Sequence, residues 1–321
     1  MTLLSNAIRS ELVSILADSE FHSGQTLADH FGISRTAVAN HISALIDLGL
    51  DIYSVRGKGY RVATQLDLLS STKINQLEPK TRLLPIEVLS VIDSTNAYLK
   101  EQINSVAHGH SVIAEAQTAG RGRRGRTWIS PFAASVYISM CWRFQGGYQQ
   151  IGGLSLFVGY CLIEALKELG VDGLAVKWPN DIYHQGRKLG GILVEVEGQI
   201  GTEVACIIGI GINVRLPENI NAIDQPFSDL SSYDINRNQL CGSILSKLQQ
   251  SLPEFERLGL APIVNDWNAM DIFAKQQVTI SGSHQQYQGI SHGINTQGAL
   301  QLKTDNGMVS INSGEVSLRA S

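Results

Sequence analysis

The chain has 321 residues, 43% of them hydrophobic, and a formal net charge of only −4, so it exceeds one typical domain and can bury two or three cores without any strong overall basic field. Its four cysteines, Cys141, Cys161, Cys206 and Cys241, are widely spaced with no C-x-x-C pair, which argues against a zinc cluster or a disulfide framework and predicts a reducing, cytoplasmic setting. The longest apolar stretch, around "VACIIGIGINV", is too short to span a membrane.

"NAIRSELVSILADSE" spaces Ile8, Leu12, Ile15 and Leu16 as one face of a helix. Ser23 is placed to cap a second helix with Leu27 and Phe31 one turn apart, and Gly32 stands where a tight inter-helix turn needs positive φ. "SRTAVANHISALIDLGL" predicts a third helix with Val38, Ile42, Leu45 and Ile46 inward and Arg35, Thr36, Asn40 and Ser43 outward. "DIYSVRGKGYRV" then reads as a β-hairpin turning at Arg56, Gly57, Lys58 and Gly59. This is a winged helix-turn-helix over residues 1–65, with Ser34, Arg35, Thr36, Asn40, Arg56 and Lys58 expected at DNA. A small helical interaction module competes, because five Lys/Arg stand against six Asp/Glu in these residues, whereas DNA binders are usually strongly basic. The wing favours DNA, holding Arg56, Lys58 and Arg61 without an acid among them, at a weak intrinsic affinity that requires dimerisation. Residues 66–82, polar and closed by prolines, read as a linker with room for one short helix.

From Ile86 the pattern becomes strand, helix, strand. "IEVLSVI" is a strand, and "DSTN", Asp93 to Asn96, supplies N-cap residues for a helix carrying Tyr98, Leu99 and Ile103. The free amides and hydroxyls of such a helix start also suit a small polar ligand. "SVIAEAQT" is a strand ending at Gln117, "ASVYISMCWRF" is the next strand, and "GGLSLFVGYCLIEALKELG" is a helix with Leu154, Val158, Cys161, Leu162 and Ala165 inward. "LAVKWPND" is a strand halted by Pro179, leaving Lys177, Asn180 and Asp181 near its end, and "GRKLGGILVEVEG" carries Lys188 into another. On "VACIIGIGINV", Gly209 and Gly211 leave one face bare, as happens where a ligand lies against backbone.

Between two of these strands stands "GRGRRGR", Gly120 to Arg126. It satisfies G-x-G-x-x-G and comes one residue short of a P-loop. Yet no acid occurs between Arg126 and Glu164, Arg126 holds the lysine position, and "TWISP" opens no helix, so neither nucleotide motif fits. What remains is a flexible basic loop whose glycines admit a ligand to the backbone and whose arginines offer forked donors to carboxylate or phosphate oxygens. A solvated loop or a nucleic-acid patch is the bland alternative.

In this order behind a winged helix, "DSTN", "GRGRRGR", "KWPND", "GRKLGGILVE" and "GIGINV" resemble the bifunctional biotin-protein ligases and biotin-operon repressors of bacteria, over nearly the entire chain. The resemblance implies an α+β multidomain protein: the winged helix-turn-helix at 1–65, the linker at 66–82, a class II synthetase-like mixed α/β ligase core at 83–270, and a small SH3-like β-barrel at 271–321. Short strands such as "QQVTI", "GALQL" and "MVSI" agree with the last. It further implies that biotin and ATP, with Mg2+ but no dedicated protein cage for it, form biotinyl-5'-AMP and release pyrophosphate. Biotin then passes to one lysine of the biotin carboxyl carrier protein, an acetyl-CoA carboxylase subunit.

Carried over by motif, Ser94, Thr95, Asn96 and Gln117 would hold the ureido ring of biotin, with Gly209 and Gly211 as the bare wall beside it. Arg121, Gly122, Arg123 and Lys188 would meet the carboxylate and the α-phosphate. Trp128 would stack on or cover adenine, and Arg121, Lys177, Asn180 and Asn213 would lie on the nucleotide side. Lys188 and Arg123 are the expected catalytic cations, and Asp181 is expected to accept a proton from, or orient, the carrier lysine. The same likeness implies that biotinyl-5'-AMP acts as corepressor, favouring a homodimer on inverted-repeat operator DNA. "GILVEVEG" would be an edge strand that homodimer and carrier use in competition. Two alternatives stay open: a lipoate-type ligase, and a sensor-repressor without turnover.

Overall fold

Three helices and a hairpin open the chain in the computed structural model, which describes residues 3–63, 65–77, 83–198, 203–217, 223, 225–282, 286–312 and 317–320. Helices α1 (Leu3–Leu16), α2 (Gly24–Phe31) and α3 (Arg35–Asp47) close around Leu12, Val13, Leu16, Leu27, Val38, Ile42 and Leu45. The Ser23 and Ser34 hydroxyls cap α2 and α3 by accepting from Thr26 N and Ala37 N, and Gly32 ends α2 at a φ of 63°. Strands β1 (Ile52–Val55) and β2 (Gly59–Val62) form the wing, tacked to the helices by paired backbone bonds between His22 and Tyr60. Ile46, expected inward, is instead 46% exposed; it lies at the margin of the stripe that Val38, Ile42 and Leu45 already complete.

The next segment is bolted to the core. Helix α4 (Ser71–Leu77) buries Ile74, and Leu69 joins the same cluster. Glu115 Oε1 accepts Leu69 N at 2.6 Å, Asn238 Oδ1 accepts Ser70 N at 2.8 Å, and Arg237 donates to Asp67 O at 2.9 Å. Arg237 and Glu115 are themselves a buried ion pair at 2.7 Å.

The central sheet has the order β3-β4-β5-β9-β8-β7-β6, with β3 (Ile86–Ile92), β4 (Ser111–Gln117), β5 (Ser135–Phe144), β6 (Leu174–Lys177), β7 (Asp181–His184), β8 (Arg187–Gly198) and β9 (Val204–Asn213). Only β3 and β4 run parallel; the other neighbours are antiparallel. Period-two alternation decides what each face does. On one face Val136, Ile138, Met140, Cys206, Ile208, Ile210 and Ile212 pack beneath α6 (Leu154–Glu168) and α7 (Arg237–Leu258). On the other, Cys141, Ala205 and Ile207 are covered by Leu99 of α5 (Thr95–Glu101), and beyond them the face turns polar and bare. Strand β8 is interior as far as Gly191, where β7 stops; Leu193 to Gly198 pair with β9 alone among the described residues. The edge expected of "GILVEVEG" therefore belongs to its C-terminal half.

Helix α8 (Val264–Ala269) leads into a five-stranded antiparallel sheet of order β13-β12-β11-β10-β14, made by β10 (Gln277–Ser281), β11 (Gln286–Ile294), β12 (Leu300–Thr304), β13 (Gly307–Ile311) and β14 (Ser317–Ala320). Among the described residues no helix is long and apolar enough to cross a membrane.

The joint to this sheet runs along β6, where Val176 N donates to Met270 O and Ile272 N to Val176 O, both at 2.9 Å. Asp271 at the joint is 6% exposed, and burial pushes its carboxyl up to about 6, against the Phe273 N–H and Ser291 hydroxyl that favour the anion. A carboxyl held above its ordinary 3.8 costs stability once it ionises. That cost is absent below about pH 4, grows toward pH 6 and is complete above it. Asp271→Asn should therefore raise the Tm at pH 8, by the equivalent of ~2–3 kcal/mol at most, and the gain should vanish when melting is repeated at pH 4.

Candidate active site

Over the bare face, five strands contribute one residue each to a straight row: Tyr137, Gly211, Gly191, Asp181 and Lys177. The next row holds Ser139, Gly209 and Leu193. A cavity of about 670 Å³ stands over these rows.

The glycines are required by what lies on them. A Cβ at Gly211 would sit 2.6 Å from Trp128 Cε2, and one at Gly209 would sit 2.3 Å from Asn96 Oδ1. The indole of Trp128 thus rests on naked backbone, while the Tyr137 hydroxyl donates to Pro131 O at 2.9 Å and fixes the chain just beyond it.

At one end of the cavity the start of α5 meets β4 and β5 in a buried polar network. Ser94 caps the helix through Ala97 N, and Thr95 N donates to Gln117 Oε1 at 2.9 Å. The Gln117 amide donates to Ser130 Oγ at 2.9 Å. Ser139 Oγ lies 2.7 Å from Thr95 Oγ1 and 2.6 Å from Asn96 Oδ1. Asn96 Nδ2 donates to Glu195 Oε2 at 2.8 Å and to Leu193 O at 3.2 Å. Such an end can offer both donors and acceptors to a compact neutral ring.

The arginine stretch, expected as a flexible basic loop, is folded into a hairpin flap. Trp128 N donates to Gly120 O at 2.8 Å, Arg121 bridges Thr127, and Gly122 N donates to Arg126 O at 2.7 Å. Arg124 and Gly125 make its tip with φ of 59° and 71°. A Cβ at Gly120 would come 2.4 Å from Trp128 O, so the hairpin needs that glycine. Arg121 reaches Glu195 at 2.7 Å, and Arg123 donates to Asn180 Oδ1 at 3.3 Å. Burial lowers the Arg123 pKa from the ordinary arginine value, although nearby Asp181 pulls it up. A cation partly stripped of water attracts an incoming anion more strongly.

Lys188 Nζ lies 2.9 Å from Asp181 Oδ1 and 5.4 Å from the Trp128 ring centroid. Lys177 donates to Tyr183 OH at 3.2 Å and lies 5.7 Å from the Phe273 ring centroid; burial pushes the Tyr183 phenol up to about 12, so it serves as a neutral acceptor.

Every cavity residue named from the sequence lines this space except Asn213. Asn213 is buried and turns its amide to Ser228 O at 3.0 Å. Ser34, Arg35, Thr36, Asn40, Arg56 and Lys58 are all exposed on the N-terminal unit, outside the cavity. Sequence reasoning missed Glu195, Ser139, Ser130 and Tyr183, together with Gln225, Pro226 and Leu318 of the lining. Ser139 had a signal, as a hydroxyl on the bare-face phase between the apolar Ile138 and Met140.

A match to the biotin/lipoate A/B protein ligase family spans residues 88–213, between matches to an HTH domain at 9–61 and to a biotin protein ligase C terminal domain at 276–319. The bifunctional ligase/repressor BirA of Salmonella typhimurium is 43% identical over 315 residues, 96% of this chain and 97% of that one. That of Escherichia coli is 42% identical over 98% of each. Among solved structures, biotin protein ligase from Aquifex aeolicus in complex with biotin and ATP matches with a TM-score of 0.66 at 29% identity, over 74% of this chain and 99% of that one.

Gly211→Ala should lift Trp128 off the sheet. We expect a red-shifted tryptophan emission and a loss of stability of about 1–3 kcal/mol by denaturant titration. Gly122→Ala, whose Cβ would stay 3.5 Å from its neighbours, should change neither.

Proposed function

The chain belongs to the biotin/lipoate A/B protein ligase family in its bifunctional ligase/repressor form, and on that premise we propose that it joins biotin to AMP, passes biotin to a carrier lysine, and represses transcription when loaded with the adenylate. The observation that carries this reading is one cavity with a neutral donor-acceptor network at Thr95, Asn96, Gln117 and Ser139 and a cluster of cations, Arg123, Lys177 and Lys188, further along the same glycine face.

The ureido ring of biotin, with two N–H donors and one carbonyl, belongs at the polar end, and its carboxylate belongs toward Arg123 and Lys188. MgATP is the second substrate, with Trp128 at the base and Lys177 and Asn180 on the phosphate side. The carboxylate oxygen attacks the α-phosphorus, the bond to the bridging oxygen breaks, and pyrophosphate leaves. Two anions must meet for this, so Lys188 and Arg123 act by fixed positive charge in a place with little water. The flap from Gly120 to Trp128 then shields the mixed anhydride from hydrolysis. In the second half-reaction a carrier amine attacks the biotinyl carbonyl and AMP departs. Asp181, 2.9 Å from Lys188, both orients that ammonium and is the acid positioned to take the amine's proton.

We assign residues 1–65 to operator DNA, with Ser34, Arg35, Thr36, Asn40, Arg56 and Lys58 at its surface, and set the further boundaries at 82 and 270. Biotinyl-5'-AMP is the corepressor, and the adenylate-bound form is a homodimer in the cytoplasm. It dimerises only to the extent that the dimer binds adenylate better than the monomer does. The open half of β8, Leu193 to Gly198, is where homodimer and biotin carboxyl carrier protein compete.

Purified protein with MgATP should release pyrophosphate with biotin and not with lipoate, and mass analysis should find the bound adenylate. Release with lipoate alone would make it a lipoate ligase, and tight biotin binding without release would make it a sensor. Asp181→Asn should slow biotin transfer from preformed adenylate by about 10²-fold or more; a native transfer rate would remove its role as proton acceptor. In sedimentation, carrier domain should shift the adenylate-loaded dimer toward monomer, and an unchanged dimer would sink the shared-surface reading.

A further inference from the structure

The ladder between β8 and β9 ends at Gly190 and Ile212, two residues short of Lys188. A strap of chain takes over there. Lys188 N donates to Pro226 O at 3.3 Å, Ser228 N donates to Lys188 O at 2.8 Å, and Leu230 N donates to Val214 O at 3.1 Å. The strap also receives the Asn213 amide at Ser228 O, and its Gln225 and Pro226 line the cavity. Where this strap sits therefore sets the backbone of Lys188, the side chain of Asn213 and one wall of the pocket.

Besides the Asn213 amide, and Asp229 Oδ2 accepting Leu216 N at 2.9 Å, a side-chain relay ties the strap to β7. Ser228 Oγ lies 2.8 Å from Nδ1 of His184, a residue of β7 only 3% exposed. His184 Nε2 lies 3.1 Å from Tyr233 OH, which donates to Asp172 Oδ1 at 2.7 Å. The direction of these bonds follows from the last acceptor. A carboxylate only accepts, so the phenol proton points to Asp172, the phenol lone pair takes His184 Nε2–H, and Nδ1 is left to accept from the Ser228 hydroxyl. The Asp172 bond raises the Tyr233 phenol, in keeping with that arrangement. A neutral imidazole in this chain carries its proton on Nε2 and bridges the body of the ligase core and the strap.

We propose that His184 is a positioning residue for adenylation: through Ser228 it fixes the strap 225–230 against β8 and so sets Lys188 where the biotin carboxylate and the α-phosphate meet. The proposal rests on the ligase reading for its kinetic consequence, but not for its structural one. The polar end at Thr95, Asn96 and Gln117 takes no part in this chain, so the effect should fall on the reacting centre and spare the seat of the biotin ring. Loss of the bond should lower kcat/KM for ATP about tenfold, the effect of one buried hydrogen bond, while KM for biotin stays within about twofold.

The test uses the full chain with Ser228→Ala, His184→Gln, His184→Asn and the Ser228→Ala/His184→Gln pair. Asn can place an acceptor where Nδ1 stood, and Gln cannot. We expect His184→Asn to retain most of the ATP kcat/KM, His184→Gln and Ser228→Ala each to lose it, and the pair to lose no more than either single change. Amide hydrogen exchange gives a readout independent of turnover: Lys188 and Ser228 N–H should exchange faster in His184→Gln and Ser228→Ala, with Gly209 and Gly211 unchanged. A wild type that makes no adenylate would end the ligase reading while leaving the exchange result to decide the strap. Unchanged exchange at Lys188 and Ser228, a KM for biotin raised as far as kcat/KM for ATP falls, or a His184→Asn variant no better than His184→Gln would overturn the proposal.

Discussion

A tryptophan lying on bare backbone is the contact around which this molecule is arranged. Trp128 can rest on the sheet only because Gly191 and Gly211 stand side by side in neighbouring strands. Once it rests there, its backbone closes the flap through Gly120, and the flap in turn brings Arg123 to Asn180 and Arg121 to Glu195. The large ring contributes burial that no smaller residue would, and the neighbouring Gly209 gives Asn96 the same access to the backbone. Chemistry at this face is therefore a consequence of missing side chains as much as of those present.

The second organising contact lies deeper. Glu115 and Arg237 form an ion pair almost without exposure, and the spare valences of both go to the backbone at Asp67 and Leu69. Two desolvated charges are expensive to bury and gain back little net stability unless every lone pair and proton is used. Here they are used to fix where the chain leaving the winged helix enters the ligase core. Phe132 N also donates to Leu48 O at 2.8 Å, so the N-terminal unit meets the core a few residues beyond Trp128.

Much of this was legible in the sequence, for definite reasons. Apolar spacing located α1, α3 and α6, and the run of β-branched residues located β4, β5 and β9, because burial on a face of known period is what selects those residues. The glycines of "GIGINV" and "GRGRRGR" were legible because only close approach explains so many in strands and beside arginines. Other features had no such signature. Helix α7 carries Pro253 and a polar half, which mask the helical spacing of Leu240, Ile244, Leu248, Leu252 and Phe255. Glu195 is one alternating residue of a strand, and its place beside Asn96 and Arg121 depends on three elements folding together. Asn213 belongs to a motif but faces the strap, because the chain at Ser228 reaches its amide first. Ile46 failed for the opposite reason, being apolar at the margin of a stripe that needed no further member.

Among the described residues strand β8 is interior at Lys188 and open from Leu193 onward. Leu193 O holds the Asn96 amide, and Glu195 joins Asn96 to Arg121, so the rim and the pocket share atoms along one short piece of chain. Evolution cannot then adjust the two independently. A substitution that alters how the rim pairs also alters the seat of Asn96, and one that refines the pocket redraws the rim. Lineages of this protein are expected to drift in step at both, with compensating changes found within β8 itself.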